Sequence, residues 1–213
     1  DGLAQRIRNQ LAVLAGGAMA DAAIFIAATH THSGPDLQGL WGGIGDAYAE
    51  RIVAQAADCG WSAWQQQEAV TLRAGVTQAA VKNRRHRKAR NSVGSQNRTV
   101  KPGIDPTVAL LVLSGKSSGA PLATLVNMSA HPVILDQHNR GYSAGYVHPL
   151  RETVEARWGG ITLFFNGILG DAIPAVLDVE DKALHRDYVQ LQHYGREVAA
   201  AVLRLLESEA EGS

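Results

Sequence analysis

The sequence predicts an α/β (or α+β) fold: a mixed β-sheet core with flanking helices. Stretches of helical period alternate with short apolar runs along the chain, and the two kinds of segment interleave from end to end. Val108–Leu113 and Leu122–Met128 flank the turn-forming Gly115–Gly119 and read as a hairpin. Ile161–Phe165 is a further apolar run of strand length, following a helical stretch that opens on a proline.

The elements follow in order. Leu3, Ile7, Leu11 and Leu14 recur at helical spacing, so a helix runs over 3–15 and stops at Gly16-Gly17. Ile24–Ala28 reads as a short buried strand, and Thr29–Gly45 as a glycine-rich loop. Asp46 is placed to cap a helix reaching Trp64, with Tyr48, Ile52, Val53 and Ala56 on its apolar face. Val70–Val76 alternates, as a strand does. Lys82–Lys101 is polar, basic and irregular in pattern. Pro149 suits the first turn of a helix over Leu150–Arg157. Ile161–Phe165 reads as a buried strand, and the last helix runs over 187–207 with Val198, Val202 and Leu205 inward.

Composition narrows the function. The 213 residues are 46% hydrophobic and 19% charged, enough for one sizeable core. The formal net charge is zero, so no bulk field draws the chain to nucleic acid or an anionic surface, and no nucleic-acid partner is expected. No apolar run approaches a transmembrane length. A single cysteine, Cys59, excludes an internal disulfide. The chain starts at Asp1 and enters a helical pattern almost at once, so residues 1–213 read as a single, truncated domain carrying no address. Oligomeric state and compartment are not legible.

Four segments could carry chemistry. Thr29-His30-Thr31-His32-Ser33-Gly34-Pro35 follows the first expected strand. In an extended segment His30 and His32 point the same way, about 6–7 Å apart, so both can meet one metal ion, or one binds while the other works beside it. The plain alternative is a polar loop with two surface histidines. Asn127–Pro132 ends a strand on His131, which Pro132 holds out of the α region. Alone, such a histidine is more often a hydrogen-bonding residue than a ligand; beside the first segment it becomes a third imidazole. Asn166-Gly167-Ile168-Leu169-Gly170-Asp171-Ala172-Ile173-Pro174 closes another strand, and Asp171 is read as shaping the site. A basic run, Lys82–Arg90, reads as a solvated loop that could touch phosphate, without the aromatics that single-strand binding needs. His86, His138, His148, His185 and His193 carry no comparable signal.

Taken together and in order, these motifs resemble the N-terminal catalytic domain of neutral/alkaline, non-lysosomal ceramidases and their shorter bacterial relatives. Thr29–Pro35 is similar to that family's His-Thr-His-Ser-Gly-Pro motif, Asn83-Arg84 to its Asn-Arg, Asp105-Pro106 with the hairpin and Asn127–Pro132 to its strand pair ending in His-Pro, and Asn166–Pro174 to its Gly-Asp turn. The resemblance implies a zinc-dependent amidohydrolase of sphingolipid metabolism that uses a metal-activated water on the amide of ceramide or a related N-acyl lipid. It implies His30 and His131 as metal ligands for Zn2+, His32 beside the metal, and Arg84 in the cleft. The candidate catalytic residues are therefore His32, Arg84 and Asp171. It also implies an exported or membrane-associated parent. Where ceramidases proper carry the serine of Gly-Asp-x-Ser-Pro, this chain has Ile173; their Ser-Ala-Asp reads Ser143-Ala144-Gly145; and no counterpart of the family's Glu and Tyr ligands is found. Thr29–Gly43 looks more like the uncharacterised bacterial relatives. Two alternatives stand beside this reading: a hydrolase of the same fold acting on another amide or ester, and an incomplete, non-catalytic fragment with a basic anion-binding loop.

Overall fold

The computed structural model describes residues 2–16, 18–19, 24–81, 83–85, 105–135, 139–170, 172–174 and 188–211. The chain divides into two compact units, one formed by Asp1–Ala27 and Pro35–Ala69, the other by Ala28–Gly34 and Val70–Ser213.

The first unit is a helix pair, α1 (Leu3–Leu14) and α2 (Asp46–Gln65). Gly16, at φ 57°, ends α1 as expected. The α2 cap is Gly45, and Asp46 is instead the first helical residue, where its charge still favours the helix N-terminus. The buried face of α2 is Ala49, Val53 and Ala57, not the row through Tyr48 and Ile52. Small side chains there admit Ile7 and Leu11 of α1, and Leu11 lies against Gly60; Tyr48 is left 43% exposed. Size, rather than hydropathy alone, selects the face when helices pack closely.

The connecting loop is organised by one carboxylate. Asp36 Oδ1 accepts from the backbone N–H groups of Gln38, Gly39 and Leu40, and Oδ2 from those of Trp41 (2.7 Å) and Gly43 (3.0 Å). These bonds, Trp41 foremost, hold the Asp36 carboxyl below its ordinary 3.8. A lowered pKa means that the stabilisation is complete above 3.8 and is lost as pH falls through the folded value. The amide proton shifts of Trp41 and Gly43 are therefore expected to titrate together, with a midpoint below 3.8; a midpoint above it would show that the carboxylate does not hold the loop.

The second unit is built on a four-stranded sheet of order β1-β3-β4-β5, with β1 at Val70–Gln78, β3 at Thr107–Gly115, β4 at Pro121–Met128 and β5 at Ile161–Asn166. The first three strands are antiparallel and β4–β5 is parallel, so the sheet is mixed. Helix α3 (Val147–Trp158) makes the crossover from β4 to β5, and α4 (Tyr188–Glu211) packs on α3. Val108, Leu110, Val112, Val126, Met128 and Phe164 alternate inward and meet Leu150, Val154, Val198, Val202 and Leu206 in one core. A separate short ribbon pairs β2 (Asn83–Arg85) with β6 (Ala172–Pro174).

Three expectations are corrected here. Ile24–Ala28 is not a strand: it joins neither ladder among the described residues, and Phe25 is 79% exposed. Hydropathy can nominate a strand, but only a partner edge satisfies its backbone groups. Ile161–Phe165 is a strand buried on one face only. Thr162 and Phe164 turn inward while Ile161 stays 54% exposed, because successive side chains of a strand point to opposite faces and one of these faces the core. Asn83–Arg85 form β2 within the segment read as irregular. The rest of the basic run, His86, His138, His185 and Asp171 lie outside the described residues.

Candidate metal centre

The parallel pair brings two strand ends to one place. Met128 and Asn166, the last residues of β4 and β5, are register partners. Ligand sites in open α/β sheets gather at such carboxyl ends. The Gly167 N–H donates to Met128 O at 2.9 Å, carrying the ladder one step further. A Cβ at Gly167 would lie 2.5 Å from Ser129 Oγ and 3.3 Å from Ser129 N, so a side chain there would have to displace the Ser129 hydroxyl.

Beyond Met128 the chain turns to present His131. The Tyr146 hydroxyl donates to Ala130 O at 2.6 Å, and the His131 N–H to Ala172 O at 2.7 Å. Val133 N–H donates back to His131 O at 2.8 Å around Pro132, whose own carbonyl accepts from His32 N–H at 3.3 Å. Tyr146 is fully buried, and burial, aided by neighbouring Tyr194, holds its hydroxyl well above its ordinary 10.0, so it remains a donor.

Residues 28–34 supply the other two histidines. His30 is not extended: its φ is 61°, the only non-glycine positive φ among the described residues. The pairing of His30 with His32 therefore does not come from strand alternation. It comes from ties on both sides of His30. Asn166 Nδ2 donates to Thr29 O at 2.9 Å and Ala28 O at 3.3 Å, and Thr31 Oγ1 donates to Ser143 O at 2.7 Å. Ser143 N–H in turn donates to Ser33 O at 2.9 Å.

The three rings converge. Their centroids lie 5.3 Å (His30–His32), 4.9 Å (His30–His131) and 4.7 Å (His32–His131) apart. His32 Nε2 and His131 Nε2 are 2.9 Å apart, and one ligand nitrogen from each of the three rings lies within 4.8 Å of the others. Two imidazole nitrogens on a tetrahedral zinc ion stand about 3.3 Å apart, from Zn–N distances of about 2.05 Å. The donor set is one that could hold a metal ion, and imidazole nitrogens suit zinc in kind. His30 and His131 are partly buried, and His32 is the exposed member.

Of the other expected residues, Arg84 lies in β2 opposite Ile173, next to the Ala172 whose carbonyl holds His131. Ile173 is buried at 6% exposure. Thr31, Asn166 and Ser143 shape the site from within segments the sequence had singled out, though for other residues or reasons; Tyr146 lies outside every such segment.

The fold and site define a mixed α/β domain with three imidazoles gathered at the carboxyl ends of parallel strands. No protein-family model matches the sequence, and no curated protein matches it. Solved structures do match in fold, two ceramidases among them. The crystal structure of neutral ceramidase from Pseudomonas aeruginosa superposes with a TM-score of 0.79 at 17% identity, over 95% of this chain and 34% of that one. A ceramidase complexed with C2 gives 0.74 at 18% identity, with the same coverage of both chains. In fold the chain is thus neutral ceramidase-like, spanning about a third of the length of the structures it matches. No described helix is long and apolar enough to cross a membrane.

Proposed function

We propose that residues 1–213 act as a ceramidase-like catalytic domain: a zinc-dependent hydrolase cleaving the amide of ceramide or a related N-acyl lipid. The observation that carries this reading is the three-histidine cluster, set in a fold shared with two ceramidase structures. His30, His32 and His131 are the proposed zinc donors, matching the three protein ligands usual for catalytic zinc. Zinc in such a site supplies Lewis acidity toward a carbonyl and lowers the pKa of water to about 7. The chain's own residues supply the rest. Arg84, a permanent cation on the ribbon beside His131, is proposed to hold charge developing on the carbonyl oxygen. Asp171, which precedes Ala172, is proposed to shape the turn carrying that ribbon.

Two second readings have specific support. The exposure of the His32 ring favours a group that reaches substrate and hands a proton to the leaving nitrogen, leaving His30 and His131 as the ligands. The buried Ile173, standing where the resemblance has a serine, favours another amide or ester as substrate.

The test is a panel of ceramides, other N-acyl amides and esters, with the chain as purified, after chelation, and after zinc is restored. Amide hydrolysis that disappears on chelation and returns with zinc is expected. Hydrolysis confined to esters moves the substrate assignment, and hydrolysis indifferent to chelation overturns the zinc mechanism.

A further inference from the structure

The left-handed backbone at His30 needs a cause. For a residue with a Cβ this conformation costs about 1–2 kcal/mol, and such residues persist only where their surroundings fix them. We propose that Asn166 is a positioning residue: from the end of β5 it fixes the peptide preceding His30 and so brings that imidazole to His32 and His131. This rests on the reading of the three histidines as a metal site.

The geometry is local and complete. The sheet sets the Asn166 backbone through its register with Met128. Its one amide nitrogen meets two successive carbonyls, Ala28 O and Thr29 O. The Thr29 carbonyl belongs to the peptide plane from which the φ of His30 is measured. Holding that plane on one side, while Thr31 Oγ1 holds Ser143 O on the other, leaves His30 little rotation between them. Only a donor can do this, so the isosteric Asn166→Asp, acceptor-only at neutral pH, should set a carboxylate against both carbonyls.

The experiment titrates the 213-residue chain with Co2+, read by its visible ligand-field absorption, and follows the His30 backbone by NMR coupling constants in the metal-free state. Asn166→Asp is expected to weaken Co2+ by about 10–100-fold, the usual cost of losing a residue that orients a ligand, and to remove the positive-φ signature of His30. The control is Asn127→Asp. Asn127 makes the same kind of bond, side-chain amide to Phe165 O at 3.1 Å, on the neighbouring strand, and that bond does not involve residues 28–30. It should leave both readouts unchanged. A His30 signature that survives Asn166→Asp, or an equal loss of Co2+ in Asn127→Asp, overturns the positioning role. A wild-type chain that shows the signature but takes up no Co2+ overturns the metal reading instead, and the NMR comparison alone then decides the role of Asn166.

Discussion

Replacing His131 by Ala is expected to lower the affinity for zinc by more than about 100-fold, because even the partners that merely orient ligands are worth about 10–100-fold. The backbone of His131 is held on both sides. Its N–H is tied to Ala172 O, its carbonyl to Val133 N–H, and the preceding carbonyl to Tyr146. The alanine variant should therefore lose a ligand and little of the fold. His30→Ala should match it in zinc affinity, and His30→Gly adds a second readout. Glycine accepts φ 61° freely, so His30→Gly should be about 1 kcal/mol more stable than His30→Ala while binding zinc no better. His32→Ala separates its two proposed roles: a ligand shows the same fall in affinity, whereas a proton donor leaves zinc in place and loses turnover. Calorimetric zinc titration with urea unfolding measures all four variants. Zinc bound as tightly by His30→Ala and His131→Ala as by the wild type would remove the metal centre from the account.

Tyr146→Ala should be the most damaging single change in the second unit, costing about 3–5 kcal/mol, as aromatic truncations in cores do. The ring is fully buried and meets Phe164 edge-on at 5.8 Å and Tyr194 at 4.9 Å. Its carbonyl also lies against Gly195 of α4, where any Cβ would overlap backbone, so the α3–α4 contact leaves little room to collapse into the gap. Tyr146→Phe keeps the ring and removes the bond to Ala130 O. It should cost about 1–3 kcal/mol, the penalty for a buried acceptor left without its donor. The phenol also sets an alkaline limit. With a pKa raised in the folded state, its contribution is intact below 10.0 and is lost as pH rises from there toward the folded value. Urea midpoints at pH 7 and 10.5 measure both effects. A Tyr146→Ala chain within about 1 kcal/mol of the wild type would mean that this packing does not hold the unit together.

Much of the architecture was legible. The hairpin, the helix opening near Pro149, the strand at 161–165 and the last helix follow from periodicity and turn chemistry, which act over a few residues and so leave a mark in sequence. The motifs around His30 and His131 named the cluster's members, because closely spaced histidines following expected strands stand out in a sequence. What the sequence could not supply was everything that depends on a partner distant along the chain. An apolar run at 24–28 joins neither sheet among the described residues; α2 turned its small residues, not its larger ones, toward α1; and His30 met His32 through a left-handed turn rather than strand alternation. Composition and local pattern marked the three histidines that the structure brings together. Tertiary structure decided how they meet: Asn166 lies more than a hundred residues from Thr29, and its amide reaches that carbonyl only once β4 and β5 have paired.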